Sequence, residues 1–457
     1  QNLMTTAVSA SRCGRKKSAR ADSCPKGDTQ PSFSGLVQRM EYPGVILNNK
    51  REDKMSDLDL IEQNDEFIED QDQIESEDDL DELCQETISQ AVVSANDWTS
   101  ETILNQINKN NIILNPAFQR RDAWDKKRKS KFIESLILGL PVPQLVLAES
   151  KERRGAYIVL DGKQRLLSIR QFAASKDDEV FSQLKLVGIE IRKDLRGKSL
   201  DSLKADANLY DDLSSFENQP IRTVVIKNWP NENFLYHVFL RLNTGSVSLS
   251  PQELRQALHP GKFVSFIDIE SGNSAALKVI LKLKKPDFRM RDAELLVRYF
   301  AFKNYLSEYS GILKKFLDDS CRDLNSKWEQ IGETISAQLV QFEKAHNAVV
   351  KIFGIKNMYK KWNGHAYETR FNRAIFDVMT YYLSVEEVRD MLLTDTTKAE
   401  NIFKNLCEND HEFLNSIETT TKSLTATCTR LSKWANIINA EFGLTIKVPT
   451  LVENRIQ

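Results

Sequence analysis

A chain of 457 residues, 41% of them hydrophobic and 28% charged, has room for two or three domains at roughly 150 residues each and enough apolar side chains to fill their cores. No run approaches the ~18 uninterrupted apolar residues of a membrane span, and the six cysteines lie far apart, with no Cys-x-x-Cys pair and no histidine at ligand spacing. These features argue against a membrane protein, a disulfide framework or a zinc site, and the expectation is a soluble, cytoplasmic protein.

The formal net charge of −2 hides an asymmetry. Residues 1–54 carry ten basic and five acidic side chains, residues 55–108 carry seventeen acids and no base, and the remainder holds a net +10. Residues 1–54 lack sustained periodicity and are rich in Ser, Gly and basic residues, so they read as a non-native or disordered extension, with Met55 as the expected natural start. Residues 55–93 read as an acidic disordered segment, because like charges at this density repel and cannot bury enough apolar surface. One function for such a tail is to mimic nucleic acid at a basic site.

Order is expected from Ser94. Asp97, Thr99 or Ser100 can cap a helix through Ile103, Leu104 and Ile107. Ile112 onward reads as a strand ended by the Asn115-Pro116 turn, Lys126–Leu138 as a helix closed by Gly139, and Gln144–Ala148 as a further strand. Tyr157–Leu160 is an apolar run with β-propensity, Asp161-Gly162 is a turn signal, and Leu166, Ile169, Arg170 and Phe172 return at helical spacing. Leu184–Glu190 and Ile221–Lys227 read as strands around a polar excursion from Asp194 to Asn218. Asn233–Leu242 reads as a helix, and Ser250-Pro251-Gln252-Glu253 begins another with a cap, a proline and a first-turn acid. From Lys262 on, the pattern is helical almost throughout, including Lys398–Glu418 as one helix.

The strand-turn-helix at Tyr157–Phe172 brings uncapped N–H groups and the positive end of a helix dipole beside two cations, which suits a phosphate. Gly162 would let backbone approach the ligand, Lys163 and Arg165 would meet phosphates, and Asp161 could hold Mg2+ or orient water. Arg120 or Arg121 could close the site from the loop after the first strand. The plainer reading is a simple connection with solvated cations, and an Arg120–Arg121 pair bridged locally to Asp122 or Asp125. No Walker G-x-x-x-x-G-K-[ST] sequence occurs, which removes a P-loop mechanism.

The order Asn115-Pro-Ala-Phe-Gln-Arg120, Trp124, Phe132–Leu140, Pro141–Leu147 and Tyr157-Ile-Val-Leu-Asp-Gly-Lys-Gln-Arg165-Leu resembles the N-terminal domain of the GmrSD type IV restriction enzymes. Phe239-Leu-Arg-Leu-Asn-Thr-Gly245, Leu249-Ser-Pro-Gln-Glu253 and Arg291-Asp-Ala-Glu-Leu-Leu-Val-Arg298 extend the likeness, so that it covers roughly Asp97 to Leu383. The family belongs with the ParB/sulfiredoxin-like fold, and its hallmark is Asp-Gly-Gln-Gln-Arg, from which Lys163 departs at the third position. The resemblance implies an α+β chain: a ParB/sulfiredoxin-like mixed α/β domain over residues 94–260, followed by a mostly helical domain over residues 261–457. It further implies a nucleoside triphosphate site with Mg2+, with Asp161 and Gln164 as catalytic residues and Gly162, Lys163, Arg165, Arg120 and Gln119 as nucleotide-binding residues.

Family members often carry an HNH nuclease, yet the five histidines here stand apart, and Asn363-Gly-His365 lacks an accompanying His-x-x-Pro element. The expectation is a nucleotide-binding, NTP-hydrolysing sensor of a prokaryotic DNA-defence system without its own nuclease, working on DNA with a separate nuclease subunit. The alternative is a non-hydrolysing nucleic-acid-binding or scaffold protein.

Overall fold

The computed structural model describes residues 89–114, 121–242 and 250–457. Its first half is built on a four-stranded sheet from strands β1 (Val92–Thr99), β2 (Leu145–Glu149), β3 (Tyr157–Asp161) and β4 (Pro220–Lys227), in the order β1-β4-β2-β3. β4 runs antiparallel to β1 and parallel to β2, while β2 and β3 form an antiparallel hairpin with an irregularity between Val146 and Leu147. That arrangement leaves β3 on an edge.

Period-two alternation sends the strands' side chains to two cores. Leu145, Leu147, Val159 and Ile221 pack beneath helices α1 (Ser100–Asn108), α2 (Lys126–Ile137) and α3 (Lys163–Phe172). After the short α4 (Leu200–Ala205), α5 (Tyr210–Asn218) adds Phe216 to the same core. On the other face Val146, Ala148, Leu160 and Ile226 meet Phe234, Leu235, Phe239 and Leu254 of α6 (Glu232–Leu242) and α7 (Pro251–Leu258).

Beyond Gly261 the chain is a helical bundle around one continuous core from Phe263 to Ile456. It comprises α8 (Lys262–Asn273), α9 (Ala275–Ile280), α10 (Arg291–Tyr305), α11 (Leu313–Ser326), α12 (Trp328–Phe353), α13 (Arg373–Leu383), α14 (Glu386–Thr394), α15 (Thr396–Asn409), α16 (His411–Glu418) and α17 (Leu424–Phe442). A two-stranded hairpin, β5 (Leu451–Val452) and β6 (Arg455–Ile456), follows it. The chain is therefore mixed α and β with a small sheet. Among the described residues no helix is long and apolar enough to cross a membrane.

Several local expectations are corrected. Leu184–Glu190 is not a strand: its alternating Leu184, Leu186 and Ile189 are buried, but its backbone bonds locally, Leu186 to Lys198 and Leu184 to Gln171. Ile112 makes a single parallel bridge to Tyr157 rather than a strand. The segment Lys398–Glu418 is two helices, because the Asp410 side chain accepts from Phe413 N and starts the second.

His346, on α12, is buried with its ring stacked near Tyr359, and burial pushes its pKa down to about 4. In the unfolded chain the imidazole titrates near ~6.5. Stability from this group is thus complete above pH ~6.5 and is lost as pH falls towards 4, because the unfolded chain takes up a proton that the folded one refuses. Between pH 7.5 and 4.5 this amounts to about 2–3 kcal/mol. Urea unfolding of His346→Gln at both values should show that part of the pH dependence gone, and an unchanged profile would remove the assignment.

Candidate functional site

Asp161 ends β3, and the backbone must then reverse into α3 within one residue. Gly162 does so at φ +99°, a left-handed conformation that favours glycine. A side chain here would also collide with the core, since a Cβ would lie 2.3 Å from Leu145 Cδ2 and 3.2 Å from Arg165 Nη2. No side chain caps α3. Its first turn therefore presents backbone N–H groups beside the candidate side chains Asp161, Lys163, Gln164 and Arg165.

Those side chains do not all point the same way. The Asp161 carboxylate accepts from Gly162 N (2.7 Å) with Oδ1 and pairs with Arg165 Nη2 (2.8 Å) through Oδ2, while staying about one third exposed. Arg165 is largely buried, and among the described residues its Nε finds no hydrogen-bond partner. Gln164 turns back towards the entry to α2, where its Oε1 accepts from Trp124 N (3.3 Å). Asp161, Gly162 and Arg165 are thus brought together, and Gln164 braces the turn from behind.

Lys163, read from the sequence as a phosphate contact, has its ammonium buried in an ion pair with Glu253 of α7. The same carboxylate accepts from Ser250 N (2.8 Å) through its other oxygen, and Ser250 Oγ accepts from Glu253 N (3.2 Å). One acid therefore caps α7 and clamps that helix to the β3–α3 turn. Sequence reasoning saw the Ser250–Glu253 box as a helix start and missed Glu253 as Lys163's partner, because the two lie ninety residues apart.

Arg121 joins neither the turn nor its local acids. Its Nε binds Asp268 Oδ1 (2.7 Å), Nη1 binds Asp292 Oδ1 (2.5 Å) and the Asp287 carbonyl (2.7 Å), and Nη2 binds Ser271 Oγ (2.8 Å). The local acids are engaged elsewhere: Asp122 with Lys129, and Asp125 with Arg128 N at the start of α2. A fully buried guanidinium needs most of its donors met, and the helical half supplies acceptors for Nε, Nη1 and Nη2 together. Gln119 and Arg120, with Asn243-Thr-Gly245, lie outside the described residues.

One group of possible metal ligands is assembled by the fold. Glu232, His259 and Asp318 place their ligating atoms within 4.8 Å of one another, although their sequence spacing gave no hint of a zinc site. Asp318, however, is already held by Arg255 (2.6 Å) and Lys314 (2.9 Å), and Arg322 lies 3.4 Å from Glu232. Three nearby cations against two carboxylates oppose a divalent ion there. These contacts hold the Asp318 carboxyl below the usual range despite its burial, and burial pushes the His259 imidazole down.

For Mg2+ at the turn, the fit is adequate. A nucleotide-bound magnesium takes one or two protein carboxylates and completes its shell with phosphate and water, and Asp161 keeps lone pairs and exposure for that.

Residues 100–260 match the family model described as the GmrSD restriction endonuclease, N-terminal domain. Comparison with curated proteins and with solved structures gives no match.

Proposed function

Residues 100–260 form a GmrSD-type restriction-endonuclease N-terminal domain, and from that premise we propose that the chain is the nucleotide-binding sensor of a restriction-like DNA-defence system. In this reading the domain has a ParB/sulfiredoxin-like fold, the β3–α3 turn holds a nucleoside triphosphate with Mg2+, and a separate nuclease subunit cuts DNA. The observation that carries it is the buried Arg165 guanidinium. Its Nη2 is fixed by Asp161 while its Nε is left without a partner among the described residues, beside the uncapped start of α3. An unmet buried donor costs about 1–3 kcal/mol, which a phosphate oxygen would recover.

The roles follow from the geometry of the turn. Gly162 keeps side-chain bulk away from the phosphates, Arg165 meets them, and Asp161 holds Mg2+ or orients the attacking water. Gln164 fixes the turn against Trp124, and Lys163 supplies positive potential while paired to Glu253. Magnesium, when bound, neutralises the charge that develops on the transferred phosphoryl group.

Arg165→Ala should weaken nucleotide binding by about 2–5 kcal/mol in calorimetry and leave the melting temperature nearly unchanged, because water can replace the guanidinium at the partly exposed Asp161. Wild-type affinity in this variant would remove the site. Phosphate release from each nucleoside triphosphate, with and without modified DNA, then tests turnover.

A second reading, a binder that does not hydrolyse, is favoured by the hydrogen bonds that both Asp161 oxygens already make. It expects tight binding without phosphate release.

A further inference from the structure

Three arginines are buried together in the helical bundle: Arg298 of α10, Arg373 of α13 and Arg430 of α17, none more than 4% exposed. Arg298 donates from Nε (3.1 Å) and Nη2 (2.5 Å) to the two oxygens of Asp377, which lies one turn after Arg373 on α13. The same carboxylate has to serve Arg430 as well, whose Nη2 lies 3.7 Å away while its Nη1 donates to the Thr421 carbonyl (2.7 Å). Arg373 Nε lies 3.4 Å from Glu294. Three guanidiniums thus meet two carboxylates. Tyr309 cannot make up the difference, because burial pushes its phenol up to about 12 and keeps it neutral. Burial also drives the pKa of Arg373 and of Arg430 below the ordinary arginine value, so the two acids do not fully offset the loss of water.

All three arginines border one cavity. Its volume is about 10 Å3, close to what a single water requires, and Phe302, Tyr309 and Ala374 complete much of its wall. Among the described residues that line it there is no acid, since neither Asp377 nor Glu294 belongs to its wall. The space is therefore bounded by cations and by apolar or neutral groups. A water there offers lone pairs but no charge, whereas a monatomic anion offers both to guanidinium groups that can only donate. A tetrahedral oxyanion such as sulfate exceeds the space.

We propose that this cavity binds one monovalent, monatomic anion of chloride size, held by Arg298, Arg373 and Arg430. The ion balances the third guanidinium in a medium where an unpaired charge is costly, and it ties together α10, α13 and α17, each of which supplies one of the cations. The site is independent of the nucleotide reading of the β3–α3 turn.

The test follows thermal unfolding of the full-length protein as sodium chloride replaces sodium gluconate at constant ionic strength. Gluconate is too large to enter, so the exchange changes the ligand and not the screening. Wild type should gain about 2–4 °C for each tenfold rise in chloride above half-saturation. Crystals soaked in sodium bromide should show an anomalous scattering peak between the three guanidinium groups. Arg430→Met, which removes the excess cation and leaves Arg298 on Asp377, should lose both the chloride dependence and the peak. Ala374→Val, which fills the cavity from its wall and keeps all three arginines, should lose them too and covers the case in which Arg430→Met fails to fold. A wild-type melting temperature indifferent to the exchange, or bromide-soaked crystals without a peak at the guanidiniums, would overturn the site. So would a chloride dependence that persists in either folded variant.

Discussion

Replacing Arg121 with alanine is expected to destabilise the protein by about 3–5 kcal/mol in urea unfolding at pH 7.5. Arg121 is 1% exposed, and its guanidinium is the cation for two buried acids, Asp268 and Asp292. Removing it strands both carboxylates in a medium that cannot solvate them, and also frees Ser271 Oγ and the Asp287 carbonyl from their donor. The pH dependence distinguishes this cause from simple loss of packing. Burial already raises the Asp292 pKa in the intact protein, and Arg121 is the largest influence holding it down. Without Arg121 the folded-state value rises further. The folded variant then binds a proton that the unfolded chain releases near pH ~4, so its stability should fall as pH rises and its deficit should be larger at pH 8 than at pH 5. Arg121→Lys should lie between the two, since one ammonium cannot reach four acceptors that a planar guanidinium spans. A deficit independent of pH would mean that lost packing, rather than stranded charge, is responsible.

What the sequence made legible was local. Tyr157–Phe172 could be read as strand, turn and helix because each signal sits within a few residues: β-propensity, Asp-Gly, then helical spacing, and the structure places β3, the left-handed Gly162 and α3 there. Most helices of the second half were legible for the same reason, although α8 and α11 were not read as separate elements. β1 was not legible, because none of its residues is buried, so no alternating apolar pattern marks it, and its partner β4 lies more than a hundred residues on. The opposite failure occurred at Leu184–Glu190, where real alternation packs against helices and has no strand to pair with. Charge partners were the least legible feature. Lys163 and Arg121 both sit next to local candidates, yet Glu253, Asp268 and Asp292 win because the fold buries them at the right distance, and no window of sequence contains that information.

Gly162→Val should lose about 2–6 kcal/mol of stability and nucleotide binding with it. Two independent costs meet at this position. Left-handed backbone at φ +99° is strained for any residue with a Cβ and most of all for a β-branched one, at about 1–3 kcal/mol. The new atoms also collide with Leu145 Cδ2 at 2.3 Å, and although that methyl ends a flexible side chain, Leu145 is fully buried and can move only by disturbing the core under α2 and α3, for a further ~1–3 kcal/mol. The two costs separate in a double-mutant cycle of Gly162→Ala with Leu145→Ala. Shortening Leu145 should relieve the collision but not the backbone strain, so the pair should be less destabilised than the sum of the singles and still less stable than Leu145→Ala alone. On the proposed nucleotide reading, binding should fall further than stability does, because a turn that relaxes to negative φ moves Asp161 and Arg165 apart and re-aims the first N–H groups of α3. A Gly162→Val protein that melts within a degree of wild type would show that neither the φ nor the Leu145 contact constrains the turn.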